Sequence, residues 1–100
     1  MRKRGRVDDN HSSIVKRLRV HGASVVSLAN LGKGVPDLLI GFKGLNLLAE
    51  VKDGNKPPSG RKLTPDEQEF ATAWRGDAPR LLEREEDCDD LIDRIRSAGW

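Results

Sequence analysis

Three residues of this 100-residue chain, Asp37, Glu50 and Lys52, have the types and spacing for hydrolytic chemistry. Apolar runs over 37–42 and 45–52 flank Lys43-Gly44, a plausible tight turn, so the segment reads as a β-hairpin. A turn centred between Lys43 and Gly44 puts Asp37 directly opposite Glu50, with Lys52 projecting from the same face. A turn centred between Gly44 and Leu45 keeps those faces and puts Lys52 opposite Asp37. A three-residue loop without a bulge would separate them. Two carboxylates at ~4 Å and an effective dielectric of ~20 repel by about 4 kcal/mol, so a shared face needs compensation. Lys52 supplies part of it, and a divalent cation supplies more. Hard oxygen donors without His or Cys suit Mg²⁺ or Mn²⁺ better than zinc. Such an ion polarises a phosphoryl oxygen and acidifies a bound water, while Lys52 orients that water or stabilises developing charge. A strand-end ion pair without chemistry is the competing reading.

The elements that must position these residues follow from pattern. Residues 1–8 read as a flexible basic arm, and 9–100 as a single domain. Asp9 or Asn10 can cap a helix running to about His21, with Ile14, Val15 and Leu18 on one face and Gly22 as its stop. A strand is expected over 23–28, a loop at 32–34, and then the hairpin, whose strands are apolar on both faces like central strands covered by helices. Residues 53–61 form a loop of breakers and basic residues. Thr64-Pro65-Asp66-Glu67 is a capped helix start with a capping box, leading a helix that buries Phe70, Ala71 and Trp74 and stops near Gly76. A short strand over 80–83 precedes a final helix with Cys88, Leu91, Ile92 and Ile95 on one stripe, ending at Gly99. The order is α-β-β-β-α-β-α, an α/β fold whose central sheet is flanked by helices.

In that order, Gly34-Val35-Pro36-Asp37-Leu38-Leu39, then Glu50-Val51-Lys52, then Gln68 in the next helix, resembles the VRR-NUC family of PD-(D/E)xK nucleases. The similarity runs from about Asp8 to Leu82 and takes in Lys52-Asp53-Gly54 and Lys62-Leu63-Thr64-Pro65. The resemblance implies a restriction-endonuclease-like core with a mixed sheet, and a metal-dependent endonuclease acting on DNA. It implies Asp37 and Glu50 as ligands of Mg²⁺ or Mn²⁺, helped by the Val51 carbonyl, with Lys52 placing the attacking water and Gln68 beside the site. Compact members occur in phages and bacteria as homodimers on branched or junction-containing DNA. One position departs from the pattern: Ser13 stands where the family usually has a first-helix Glu. A serine cannot supply that charge, so the expectation is a weakened or narrowed metal site, with Asp9, one turn earlier, as a substitute.

Composition narrows the remaining classes. No run approaches the ~18–20 apolar residues of a membrane span. The basic start is followed by Val7 and Asp8 instead of the apolar stretch of a secretory leader, so a cytoplasmic location is expected. Cys88 is the single cysteine, which excludes a disulfide framework or thiolate metal cage. Its acidic neighbours mark it as a small buried apolar residue. The net charge of +2 hides an asymmetry: residues 1–62 carry +8 and residues 63–100 carry −6. One side therefore suits a polyanion. Lys33, Lys56, Arg61 and Lys62 flank the site on loops as candidate phosphate contacts. His11 and His21 read as surface or capping residues, Trp74 and Trp100 as packing. Two other classes compete with the enzyme: a DNA-binding module on the same fold with catalysis weakened, and a protein adaptor using the acidic last helix.

Overall fold

A computed structural model describes residues 8–98; residues 1–7, Gly99 and Trp100 lie outside the described residues, and with them all of the expected basic arm at 1–8 except Asp8. The elements run α1 (His11–Val20), β1 (Ser24–Ser27), β2 (Leu38–Phe42), β3 (Leu45–Val51), a 3₁₀ turn (Pro58–Gly60), α2 (Pro65–Ala73), β4 (Arg80–Leu82) and α3 (Glu85–Ser97). The four strands form one mixed sheet in the order β1-β2-β3-β4, antiparallel except for the parallel β3–β4 pair. This is the α-β-β-β-α-β-α order expected from the pattern.

The hairpin takes the first of the two possible two-residue turns, the one centred between Lys43 and Gly44. Phe42 pairs with Leu45 and Leu38 with Ala49. Lys43 and Gly44 both have positive φ, 50° and 80°, the backbone of a two-residue turn whose twist matches the strands. One face of the hairpin carries Leu38, Ile40, Leu47, Ala49 and Val51, all buried against Ile14 and Leu18 of α1 and Cys88, Leu91, Ile92 and Ile95 of α3. The stripe read from α3 is therefore the packing face, and Cys88 fills a core position.

The opposite face is less covered than two-sided apolar strands suggest. Leu39 and Leu48 are half-buried, and Val26, in register with Leu39, is 55% exposed. The reason is α2, which buries no residue completely. Its Phe70 and Ala71 are half-buried, and Trp74 is 47% exposed, stacked on Phe70 with ring centroids 5.1 Å apart. The expected burial of Trp74 is thus corrected: α2 ends at Ala73, and Trp74 leaves the helix with extended backbone. It satisfies its aromatic face on its helical neighbour instead of in the core.

The outer edge of β1 is occupied. The Leu28 amide donates to the Asp37 carbonyl, so antiparallel alternation turns the Val25 carbonyl away from β2. The Arg19 guanidinium donates to it at 3.0 Å. On the other side of the molecule, α1 is tied to α3 through Arg17, which makes a two-armed contact with Asp89 at 2.7 and 2.8 Å, and through His21 on the same carboxylate at 2.6 Å.

Candidate active site

Continuing the hairpin register one step beyond Leu38–Ala49 brings Asp37 opposite Glu50, on the face away from the main core. Both are buried, Glu50 to 5% exposure. Each is fixed by the chain around it. β2 has not begun at Asp37, so the Val51 amide lacks a backbone acceptor there and donates to Asp37 Oδ2 at 2.8 Å. That bond fixes the carboxylate's direction. The Asp37 carbonyl accepts from the Leu28 amide, tying the residue to the end of β1 as well. Gly34 sets the approach of the loop before Asp37 to α2. Its φ is 80°, and a Cβ there would lie 2.2 Å from the Asp66 carbonyl oxygen, so only glycine lets this loop press against the first turn of α2.

Lys52 follows Glu50 by two residues and shares its face. Its Nζ donates to Glu67 Oε1 at 2.8 Å, and both side chains are largely buried. Glu67 is the capping-box residue of α2. The same Oε1 accepts from the Thr64 amide at 2.8 Å, and the Thr64 hydroxyl accepts from the Glu67 amide at 3.2 Å. Glu50 and Glu67 line one small cleft with Gly34, Pro36, Leu63 and Ala71.

The electrostatics follow from this crowding. Burial, then the contact with the Asp37 carboxyl and the charges of Asp37 and Glu67, push Glu50 far above the usual carboxylate range; Lys52 pulls weakly the other way. For Lys52, burial acts to lower the pKa, but the bond to Glu67 and the charges of Glu67, Glu50 and Asp8 leave it raised. Burial acts to raise Glu67, yet its bonds with Lys52 and the Thr64 amide hold it low. A lysine kept charged in this way serves as a donor and a cation, not as a base. Its charge is engaged by Glu67, which leaves the Asp37–Glu50 pair in need of another cation or a shared proton.

The donor set bears on what that cation is. Among the described residues no group of three or more His, Cys, Asp or Glu side chains is arranged to hold a metal ion. The hairpin offers two carboxylates and main-chain oxygen. This all-oxygen pair, buried and with excess negative charge, fits a hard divalent cation that keeps several waters.

The other sequence candidates fall in different places. Gln68 is exposed on α2, and its neighbour Glu67 is the α2 residue that meets Lys52. Glu67 was legible only as a helix cap, a role that accounted for it fully. Lys56 pairs with Asp8 at 3.5 Å, and Arg61 with Glu83 at 3.2 Å and with the Lys56 carbonyl. Lys33 and Lys62 are exposed and form no ion pair with another described residue. Asn10 stands at the N-cap of α1 without capping it. Its amide instead donates to the carbonyls of Lys52 and Glu83 at 3.0 and 2.9 Å, clamping α1 to the ends of β3 and β4. Ser13 turns its hydroxyl back to the Asn10 carbonyl at 2.9 Å. Asp9 is exposed, and it is Asp8 whose charge reaches Lys52.

No protein-family model matches this sequence, and no curated protein does. Among solved structures the chain is similar to one described as a VRR_NUC domain, at 28% sequence identity and a TM-score of 0.57. The match covers 83% of this chain and 89% of that one.

Proposed function

Because the chain belongs to the VRR-NUC family and carries a nuclease-type domain, we propose that it is a divalent-metal-dependent endonuclease that hydrolyses phosphodiester bonds in branched or junction-containing DNA. The observation that carries this reading is the buried Asp37–Glu50 pair beside a lysine whose charge is already engaged by Glu67. Asp37 and Glu50, with the Val51 carbonyl, would hold Mg²⁺ or Mn²⁺, which supplies Lewis acidity and an acidified water when bound. Lys52 presents a fixed ammonium to the reacting phosphate and its attacking water, and its charge favours the developing negative charge. Lys33 and Lys62, both exposed, are the loop cations suited to phosphate contact. Gln68 stands one residue from Glu67, within α2, for a secondary role at the same end. A chain this small offers little surface for a duplex, so it works as a homodimer in this reading.

Labelled junction, flap and linear DNAs, incubated with the protein in Mn²⁺, Mg²⁺ or EDTA, test the proposal. Cleavage of branched substrates is expected with either metal and not in EDTA. Asp37→Ala and Lys52→Ala should each reduce it by on the order of 100-fold or more while DNA binding persists. One observation favours a second reading, a DNA-binding module with weakened catalysis: α1 holds no Asp or Glu, and Ser13 turns its hydroxyl back to the Asn10 carbonyl. Salt-sensitive DNA binding without cleavage in either metal would establish that reading in place of the first. No helix among the described residues is long and apolar enough to cross a membrane.

A further inference from the structure

Lys52 stands at the end of β3 with a long, flexible side chain next to two buried carboxylates. Both carboxyls lie on its face of the hairpin, so the ammonium has Asp37 and Glu50 as alternative acceptors and could settle between them. It does not. Nζ lies 2.8 Å from Glu67 Oε1, an oxygen that also accepts from the Thr64 amide at 2.8 Å. The side chains of Lys52 and Glu67 are 11% and 18% exposed, so the contact is sheltered from water. Glu67 is itself held from two directions, by the backbone of the capping box and by the first turn of a helix packed on Gly34. The acceptor is therefore rigid before the lysine reaches it.

We propose that Glu67 is the positioning residue for Lys52, its cap-fixed Oε1 drawing the ammonium off the Asp37–Glu50 pair so that those carboxylates stay free for the cation. The proposal rests on the nuclease reading for its catalytic consequence, but the placement of Lys52 is a property of the folded chain alone. It makes the start of α2 part of the site. It also gives Glu67 a second duty: the capping-box oxygen that accepts from the Thr64 amide must at the same time accept from Lys52 Nζ.

Three variants separate these requirements. Glu67→Gln keeps the oxygen in place and loses the charge, Glu67→Asp keeps the charge and withdraws the oxygen by one methylene, and Glu67→Ala loses both. Arg17→Ala, which cuts an α1–α3 tie on the far side of the molecule, serves as a control for lost stability. In Mn²⁺ with a junction substrate, Glu67→Asp and Glu67→Ala should lower kcat by tenfold or more with KM within about threefold. Glu67→Gln should retain at least a third of kcat, and Arg17→Ala should retain it fully. In parallel, reductive methylation of the metal-free protein, read by mass spectrometry with Lys43 as the exposed reference, should proceed at Lys52 at least fivefold faster in Glu67→Asp than in the native chain or Glu67→Gln. Glu67→Asp retaining kcat as well as Glu67→Gln does, or labelling at Lys52 no faster in Glu67→Asp than in Glu67→Gln, overturns the proposal. Should the native chain not cleave DNA, the methylation ratio alone decides: faster labelling of Lys52 in Glu67→Asp upholds the placement while the nuclease reading fails, and unchanged labelling overturns the placement.

Discussion

Replacing Glu50 with glutamine should make the metal-free protein more stable, by an amount that grows with pH. Glu50 is 5% exposed and faces Asp37, and burial together with that neighbour pushes its pKa far above the ordinary range. In the unfolded chain it titrates near ~4.3. Between that value and the folded pKa, the native state holds a proton that the unfolded state has released, so stability is present at acid pH and is lost as pH rises. The slope for one proton is about 1.4 kcal/mol per pH unit, so raising pH from 5 to 7 costs the native chain roughly 2–3 kcal/mol through this group. Glutamine mimics the protonated acid at every pH and can donate to Asp37 in its place, so it escapes the loss. Direct repulsion gives a similar scale, about 4 kcal/mol for two charges at ~4 Å and an effective dielectric of ~20, before any relief from Lys52. Urea titrations in EDTA at half-unit steps from pH 4.5 to 8 measure the difference, in which other titrating groups cancel. The two proteins should be nearly equal at pH 4.5, and Glu50→Gln should lead by about 2–3 kcal/mol at pH 7, or on the order of 10 °C in Tm for a domain of this size. Mn²⁺ at ~100 times its Kd should return about 2.7 kcal/mol to the native chain and much less to the variant. Equal stabilities across the whole range, or a less stable variant, would mean that Glu50 ionises freely, and the argument for a compensating cation would collapse.

Two further outcomes follow from single positions. Gly34→Ala places a Cβ against the Asp66 carbonyl at a positive φ, so it should cost about 2–4 kcal/mol by chemical denaturation and, by pushing the loop off α2, reduce cleavage even below its melting point. The Cys88 thiol is pushed up to about 12, first by burial and then by the charges of Asp89 and Asp87. Its reaction with a disulfide reagent at pH 8 should therefore be on the order of 1000-fold slower in the native protein than in urea, and rapid native labelling would show that the α3 face is not packed as described.

The hairpin was legible because its geometry is local. A two-residue turn and strict alternation fix which of Asp37, Glu50 and Lys52 share a face, and no distant contact can alter that parity. The α3 stripe was legible for a related reason, since Cys88, Leu91, Ile92 and Ile95 form one continuous face with no competing use. Burial on α2 was not, because an aromatic at helical spacing reads as core whether or not a sheet surface lies beneath it. Trp74 departs from the helix and stacks on Phe70, an outcome set by where the chain turns after Ala73. Glu67 was hidden by a sufficient local explanation: the capping box accounts for it without reference to Lys52, fifteen positions earlier in the chain. Asn10 shows the same limit in reverse. Its type suits an N-cap, but the converging ends of β3 and β4 present two carbonyls that its amide satisfies instead. The match to a VRR_NUC domain structure, at 28% identity, agrees with the family read from the motif order.

The Arg19 guanidinium on the Val25 carbonyl has a bearing on how copies of this chain can meet. An uncovered outer strand is a template on which a second molecule can lay its own strand, the first step of uncontrolled polymerisation. Here β1 is short, and an arginine from the preceding helix already occupies a carbonyl that such a strand would need. Growth of the sheet from that side would require displacing a bound cation, and ordered pairing of two copies is steered toward other surfaces of the molecule.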